Sequence, residues 1–192
     1  MPTNHVAENV FGTIGTICWT LQIIPQLWKS WRSKSTEGLS ASLVLIWGLS
    51  GVFLGTYAVV QNLNIPLIVQ PQLFGALCMV SWIQCMHYGY KKSSRWCAAV
   101  LISLLVVSGA VEVGLVYAVR TPYERGEDGA KRATQFFGII SSIMIAAGLL
   151  PQYYDIYKRR EVVGLSLLFI SVDMAGGMCR NYLIARADPI RT

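Results

Sequence analysis

Charged positions are confined to short intervals, and between them the chain is apolar for lengths that match a lipid bilayer. No charge occurs between Glu8 and Lys29 or between Glu37 and Lys91. Only Glu112 interrupts Arg95 to Arg120, none lies between Arg132 and Asp155, and only Asp173 lies between Glu161 and Arg180. A helix needs about 20 mostly apolar residues to cross the hydrocarbon core. The interval from Gly38 to Tyr90 supplies two such lengths, with Gln61–Pro66 as the turn between them. The pattern predicts an all-α membrane protein of about six spans, at roughly 10–30, 40–60, 66–88, 97–119, 134–156 and 163–184. The first apolar stretch has no basic segment ahead of it, so no cleavable leader is expected.

Composition agrees. Of 192 residues, 54% are hydrophobic and 14% charged, whereas a soluble domain carries about 25% charge. The net charge of +6 does not point to nucleic acid, because the basic residues sit in short loops between spans. Lys29, Arg32 and Lys34 follow the first span, Lys91, Lys92 and Arg95 the third, and Lys158, Arg159 and Arg160 the fifth. Short loops rich in Lys and Arg stay in the cytosol. The N-terminus is therefore expected to face a lumen or the exterior. The five cysteines (Cys18, Cys78, Cys85, Cys97 and Cys179) lie in or at the ends of apolar spans. They lack metal-ligand spacing and any disulfide pattern, so they read as packing residues, with no metal or cofactor expected. No nucleophile elbow or phosphate loop is present, and an enzyme is not expected.

The apolar intervals contain a repeat. Residues 12–51 and 138–177 align without a gap, placing Pro25-Gln26 on Pro151-Gln152 and Gly38-Leu39-Ser40 on Gly164-Leu165-Ser166. Each copy runs from an apolar segment through Pro-Gln and a basic loop to Gly-Leu-Ser and a second apolar segment. Four spans precede the second copy, so the two start on the same side as parallel repeats, an arrangement used by transporters with a central substrate path. Proline removes a helix hydrogen bond and kinks the chain. In lipid this is tolerated where the freed carbonyl faces protein or a water-filled cavity. Pro25 and Pro151 therefore read as hinges, and Gln26 and Gln152 as amides on a substrate path. Pro71-Gln72 lacks the flanking pattern and is set aside. Glycines in both copies allow close helix packing.

Two acids lie at membrane depth, Asp173 and Glu112. An ionisable side chain there is costly unless protonated, paired or hydrated, and burial favours its neutral form. Asp173, ahead of Ala175-Gly176-Gly177, is the leading proton-coupling candidate; its counterpart in the first repeat is Trp47. Glu112 reads either as a second coupling site or as a hydrogen-bonded structural acid. The six tryptophans in part mark membrane interfaces.

Pro25-Gln26 followed by Lys34-Ser35-Thr36-Glu37-Gly38-Leu39-Ser40, and Pro151-Gln152 followed by Val163-Gly164-Leu165-Ser166, resemble the signature of the PQ-loop family, relatives of cystinosin and of the vacuolar cationic amino-acid exporters. The resemblance covers residues 10–177. It implies an MtN3/SWEET-like parallel repeat of three-helix bundles joined by a linker helix, here 10–90, 95–120 and 133–186. It also implies proton-coupled export of a small solute, often an amino acid, from a vacuolar or lysosomal lumen. Asp173 matches the acid that couples protons in cystinosin-like members. The stretch 47–51 lacks the acid of the cationic amino-acid exporters, which argues against a cationic solute. The family has seven spans where this chain supplies six, so an altered or truncated C-terminus is expected. An incomplete second bundle also leaves room for pairing with another copy. Two alternatives share the fold: a non-transporting sorting receptor or scaffold, and a lipid-scrambling regulator.

Overall fold

A computed structural model of the chain describes residues 13, 17 and 23–159. The sixth predicted span, and Asp173 with it, lies outside the described residues, as does most of the first span ahead of Ile23. The described elements are α1 (Ile23–Ser33), α2 (Ala41–Val60), α3 (Ile65–Gln84), a π turn (Cys85–Gly89) that continues α3, α4 (Ser94–Glu124) and α5 (Asp128–Arg159). Four of these are long and apolar enough to cross a bilayer: α2, α3 with its π turn, α4, and the part of α5 from Asp128 to Tyr154. They coincide with the second to fifth predicted spans.

The helix ends follow from local chemistry. Pro66 sits in the first turn of α3, where a missing N–H has no intrahelical partner to lose. The Ser93 hydroxyl accepts the Trp96 N–H at 3.3 Å and starts α4. That helix stops at Gly126, whose φ of +80° suits only glycine without strain, and whose N–H reaches the Tyr123 carbonyl at 3.0 Å.

The helix in the middle is α2, which packs against α3, α4 and α5, while α1 packs against α3. Side-chain volume decides these contacts. A Cβ on Gly51 would lie 3.2 Å from the Gly75 Cα and 3.0 Å from the Pro71 carbonyl oxygen, so α2 and α3 touch backbone to backbone. Against α5 the pattern is ring on glycine: Tyr57 lies over Gly138 and Trp47 over Gly148. Trp47 is buried and donates from Nε1 to the Ile145 carbonyl at 2.9 Å. It marks the core, with Ile23, Leu43, Phe74 and Cys78, and not an interface. By contrast, α4 buries only Cys97 and Glu112 and turns Val106, Val111 and Tyr117 outward. An apolar outer face of this kind suits lipid.

The alternating helices gather the α1–α2 loop, the α3–α4 loop and the end of α5 at one end of the bundle. This basic end carries Lys34, Lys91, Lys92 and Lys158. The turns at 61–64 and 125–127 lie at the opposite end.

Candidate functional site

Two polar arrangements interrupt the apolar bundle. The first is at the basic end. Gly38 has a φ of +83°, which turns the loop entering α2. The side chain of Gln152, on α5, closes on this loop: its Nε2 donates to the Gly38 carbonyl at 2.9 Å, and its Oε1 accepts from the Ser40 N–H at 2.9 Å. The first four N–H groups of a helix lack intrahelical partners. Ser40 is positioned as the N-cap of α2 but makes no side-chain cap, so Gln152 caps that helix from another one. Gly-Leu-Ser and Pro-Gln, read in the sequence as separate marks, are here two halves of one contact, and the halves come from different repeats.

Beside this contact lies a cavity of about 450 Å³, bounded by Thr36, Ser40 and Ser42 on one side, Cys85 and Tyr90 on another, and Pro151 and Tyr154 on α5. Pro151 has no N–H to offer, so the carbonyl one turn earlier in α5 loses its intrahelical partner. The five-residue π turn Cys85–Gly89 forms the wall from α3. Such bulges within α-helices are common at functional positions.

The second arrangement lies toward the opposite end. Glu112 is the buried acid of α4, and Gln72 on α3 donates from Nε2 to its Oε1. Gly55 on α2 makes the approach possible, since a Cβ there would collide with both side chains. Three helices thus converge on one carboxylate. It faces a cavity of about 690 Å³ whose wall also holds Tyr117, Arg120, Thr121 and Glu124. Arg120 and Glu124 pair with each other at 3.0 Å. Among the described residues no group of His, Cys, Asp and Glu has the make-up of a metal site.

The predicted residues therefore divide. Gln152 and Pro151 stand at the cavity of the basic end. Pro25 and Gln26 lie in α1, with Gln26 only 5% exposed. Gln152 spends its amide on the Gly38–Ser40 backbone. Glu112 is buried and hydrogen-bonded. Gln72 is set aside in the sequence for lack of a repeat context and Gly55 counts there only as a packing glycine, although an amide one helix away from the single acid of 97–119 is a signal. The serine hydroxyls around the α2 entrance were read only as part of the Gly-Leu-Ser mark.

Comparison with known proteins bears on the same segments. The family model of the PQ loop repeat matches residues 7–67 and 133–186. Both Pro-Gln pairs and the Gly38–Ser40 loop fall inside these matches, while Gln72 and Glu112 fall between them. An uncharacterized protein of Schizosaccharomyces pombe is 38% identical over 175 residues, 91% of this chain and 61% of that protein. An uncharacterized membrane protein of Saccharomyces cerevisiae is 33% identical over 172 residues, 88% of this chain and 54% of that protein. The vacuolar histidine transporter of Saccharomyces cerevisiae is 33% identical over 91 residues, 46% of this chain and 31% of that protein. The chain spans between half and two thirds of the length of the first two relatives. No solved structure matches it significantly.

Proposed function

This chain belongs to the PQ-loop repeat family, and from that premise we propose that it exports a small solute, such as an amino acid, from an acidic organelle by proton-coupled alternating access. The basic end is cytosolic on this reading, and the N-terminus luminal, because short loops rich in Lys and Arg are retained in the cytosol. The likeness to a vacuolar histidine transporter supports a vacuolar or lysosomal membrane and an amino-acid solute. Residues 10–90 and 133–186 act as the two moving units, with 95–120 as the linker helix between them. The apolar outer face of α4 fits that placement.

The observation that carries the proposal is the Gln152 contact. One amide from the second repeat ties down the loop of the first, at the end where a solute would leave. Two such hydrogen bonds contribute about 1–3 kcal/mol in total. A tie of that size holds a gate shut while keeping the open state within thermal reach. Pro25 and Pro151 supply the hinges, Gln152 the amide released on opening, and Gln26 a second amide on the substrate path. Asp173 carries the coupled proton, with Glu112 as a second site. A carboxylate in a largely apolar bundle is stable when protonated or paired, and Gln72 leaves Glu112 room for a proton.

The experiment is uptake of an amino-acid panel by vesicles carrying the chain, at several pH values, with Asp173→Asn as the comparison. The variant is expected to express and insert normally and to lose pH-dependent transport. Unchanged pH dependence in Asp173→Asn would sink the assignment.

A further inference from the structure

A third polar arrangement lies where α1 meets α3. Gln84, the last residue of α3, donates from Nε2 to the Leu27 carbonyl of α1 at 3.2 Å. That bond fixes the orientation of the amide, since the reverse would set two carbonyl oxygens together. Gln84 Oε1 therefore lies beside α1 as an acceptor. Among the described residues it is one of three buried side-chain oxygens without a hydrogen-bond partner, and the others are the hydroxyls of Ser30 and Ser81. Residues three apart on a helix are neighbours, so Ser30 sits one turn from Leu27 and Ser81 one turn from Gln84. The orphaned oxygens thus flank a single interhelical bond. Ser30 is 1% exposed and Ser81 0%, so neither hydroxyl reaches bulk solvent. A helical serine often bonds the carbonyl three or four residues earlier. For Ser30 the nearer of these is Leu27, which already accepts Gln84. Buried polar groups without partners are uncommon, and each calls for an explanation.

The three oxygens define what belongs between them. Each is beyond hydrogen-bond reach of the other two, so a group that satisfies them must come from a separate molecule. Gln84 Oε1 can only accept, while the hydroxyls can donate and accept. A cation would find no counter-charge here, because neither α1 nor α3 contains an acid and α1 carries Lys29 and Arg32. An anion would face the Gln84 carbonyl oxygen. A neutral group that both donates and accepts fits all three. None of these residues lines either cavity described above, which limits the occupant to a very small molecule.

We propose that Ser30, Ser81 and Gln84 bind a buried water molecule between α1 and α3. The water donates to Gln84 Oε1 and exchanges hydrogen bonds with the two hydroxyls, which gives it three partners, the usual number for a water in a protein interior. It fastens α1 to α3 a second time, beside the Gln84–Leu27 bond, on the helix that carries Pro25 and Gln26. A water can turn to keep its partners as two helices shift, whereas a direct side-chain bond must break. Resting on the transport reading, the site lets α1 move against α3 without stranding a buried polar group.

The test is a double-mutant cycle on the full chain in detergent micelles, with Ser30→Ala, Ser81→Ala and the two combined, followed by denaturant unfolding. The sign of the single effects is decisive. Removing a hydroxyl that bonds a water should lower the folding equilibrium constant about fivefold. Removing one that bonds nothing relieves a buried polar group and should leave stability equal or higher. The hydroxyls do not touch, so they can be coupled only through what lies between them. With a water shared by both, the double variant is expected to lose clearly less than the product of the single losses. Single variants as stable as the parent would overturn the site, and single losses that multiply independently would overturn the shared water. Potassium chloride and choline chloride at equal ionic strength are expected to give the same stability. A gain specific to potassium would identify a cation and overturn the water. The transport reading fails separately, because the unfolding is measured without solute: coupled losses in a chain that moves no amino acid keep the water and remove its part in export. Transport in a chain whose two losses are uncoupled removes the water alone.

Discussion

Gln152 offers the sharpest perturbation, because the expected cost can be worked from its two partners. In Gln152→Ala both hydrogen bonds disappear, each contributing about 0.5–1.5 kcal/mol. The groups left behind add to this, since an unsatisfied buried donor or acceptor costs about 1–3 kcal/mol. Here the addition is at the low end, because Ser40 borders a polar cavity that admits water. The expected loss is about 2–3 kcal/mol, a large share of the roughly 5–15 kcal/mol that stabilises a folded domain. Gln152→Glu separates the two bonds. Its carboxylate still accepts the Ser40 N–H, but sets an oxygen against the Gly38 carbonyl where a donor stood, so it should be no more stable than alanine. Gln135→Ala, at an exposed position on the same helix, controls for the loss of a glutamine. The assay is thermal unfolding of the purified chain in one detergent. If Gln152→Ala melts with Gln135→Ala, the Gln152 contact does not hold the two repeats together and the gate argument loses its basis.

Three further outcomes are expected. Gly148→Ala puts a Cβ 2.8 Å from Trp47 Cδ1, and the ring cannot withdraw without losing its bond to Ile145. It should lose about 1–2 kcal/mol, since overpacking of about 1–3 kcal/mol is partly offset by helix propensity. Gly109→Ala, with nothing within 4 Å, should be neutral or slightly stabilising in the same melt. Glu112→Gln keeps an acceptor for Gln72, so its melting point should stay within about 1 kcal/mol of the parent. Gly55→Ala should fall well below it by driving Glu112 and Gln72 apart. An equal melt for Gly55→Ala and Glu112→Gln would mean that the three helices do not converge as described.

The second to fifth spans were legible because length and charge spacing alone determine them. Charge-free runs at 40–60 and 66–88 became α2 and α3 with its π turn. Helices α4 and α5 extend beyond their predicted spans into charged ends, where capping groups such as Gly126, and not hydropathy, set the boundary. The repeat drew attention to Gln152, which the fold holds against the Gly38–Ser40 loop. It did not give the partner, because Gly38 and Ser40 are more than a hundred positions away and only helix packing brings them to α5. The same holds for Glu112: its burial was expected, but Gln72 meets it through a gap that exists only because position 55 has no side chain. Trp47 went the other way. Tryptophan prefers membrane interfaces on average, yet this one found a glycine and a carbonyl on α5 and joined the core. Asp173 and the sixth predicted span, placed by sequence alone, lie outside the described residues.

The central claim is proton-coupled export, and the most direct measurement is solute flux through vesicles carrying the unaltered chain. The side equivalent to the lumen would be held acidic and loaded with a mixed panel of amino acids. The account predicts that at least one amino acid leaves the acidic side faster with the gradient than without it, and that collapsing the gradient removes the difference. No gradient-dependent movement of any amino acid in the panel would contradict it.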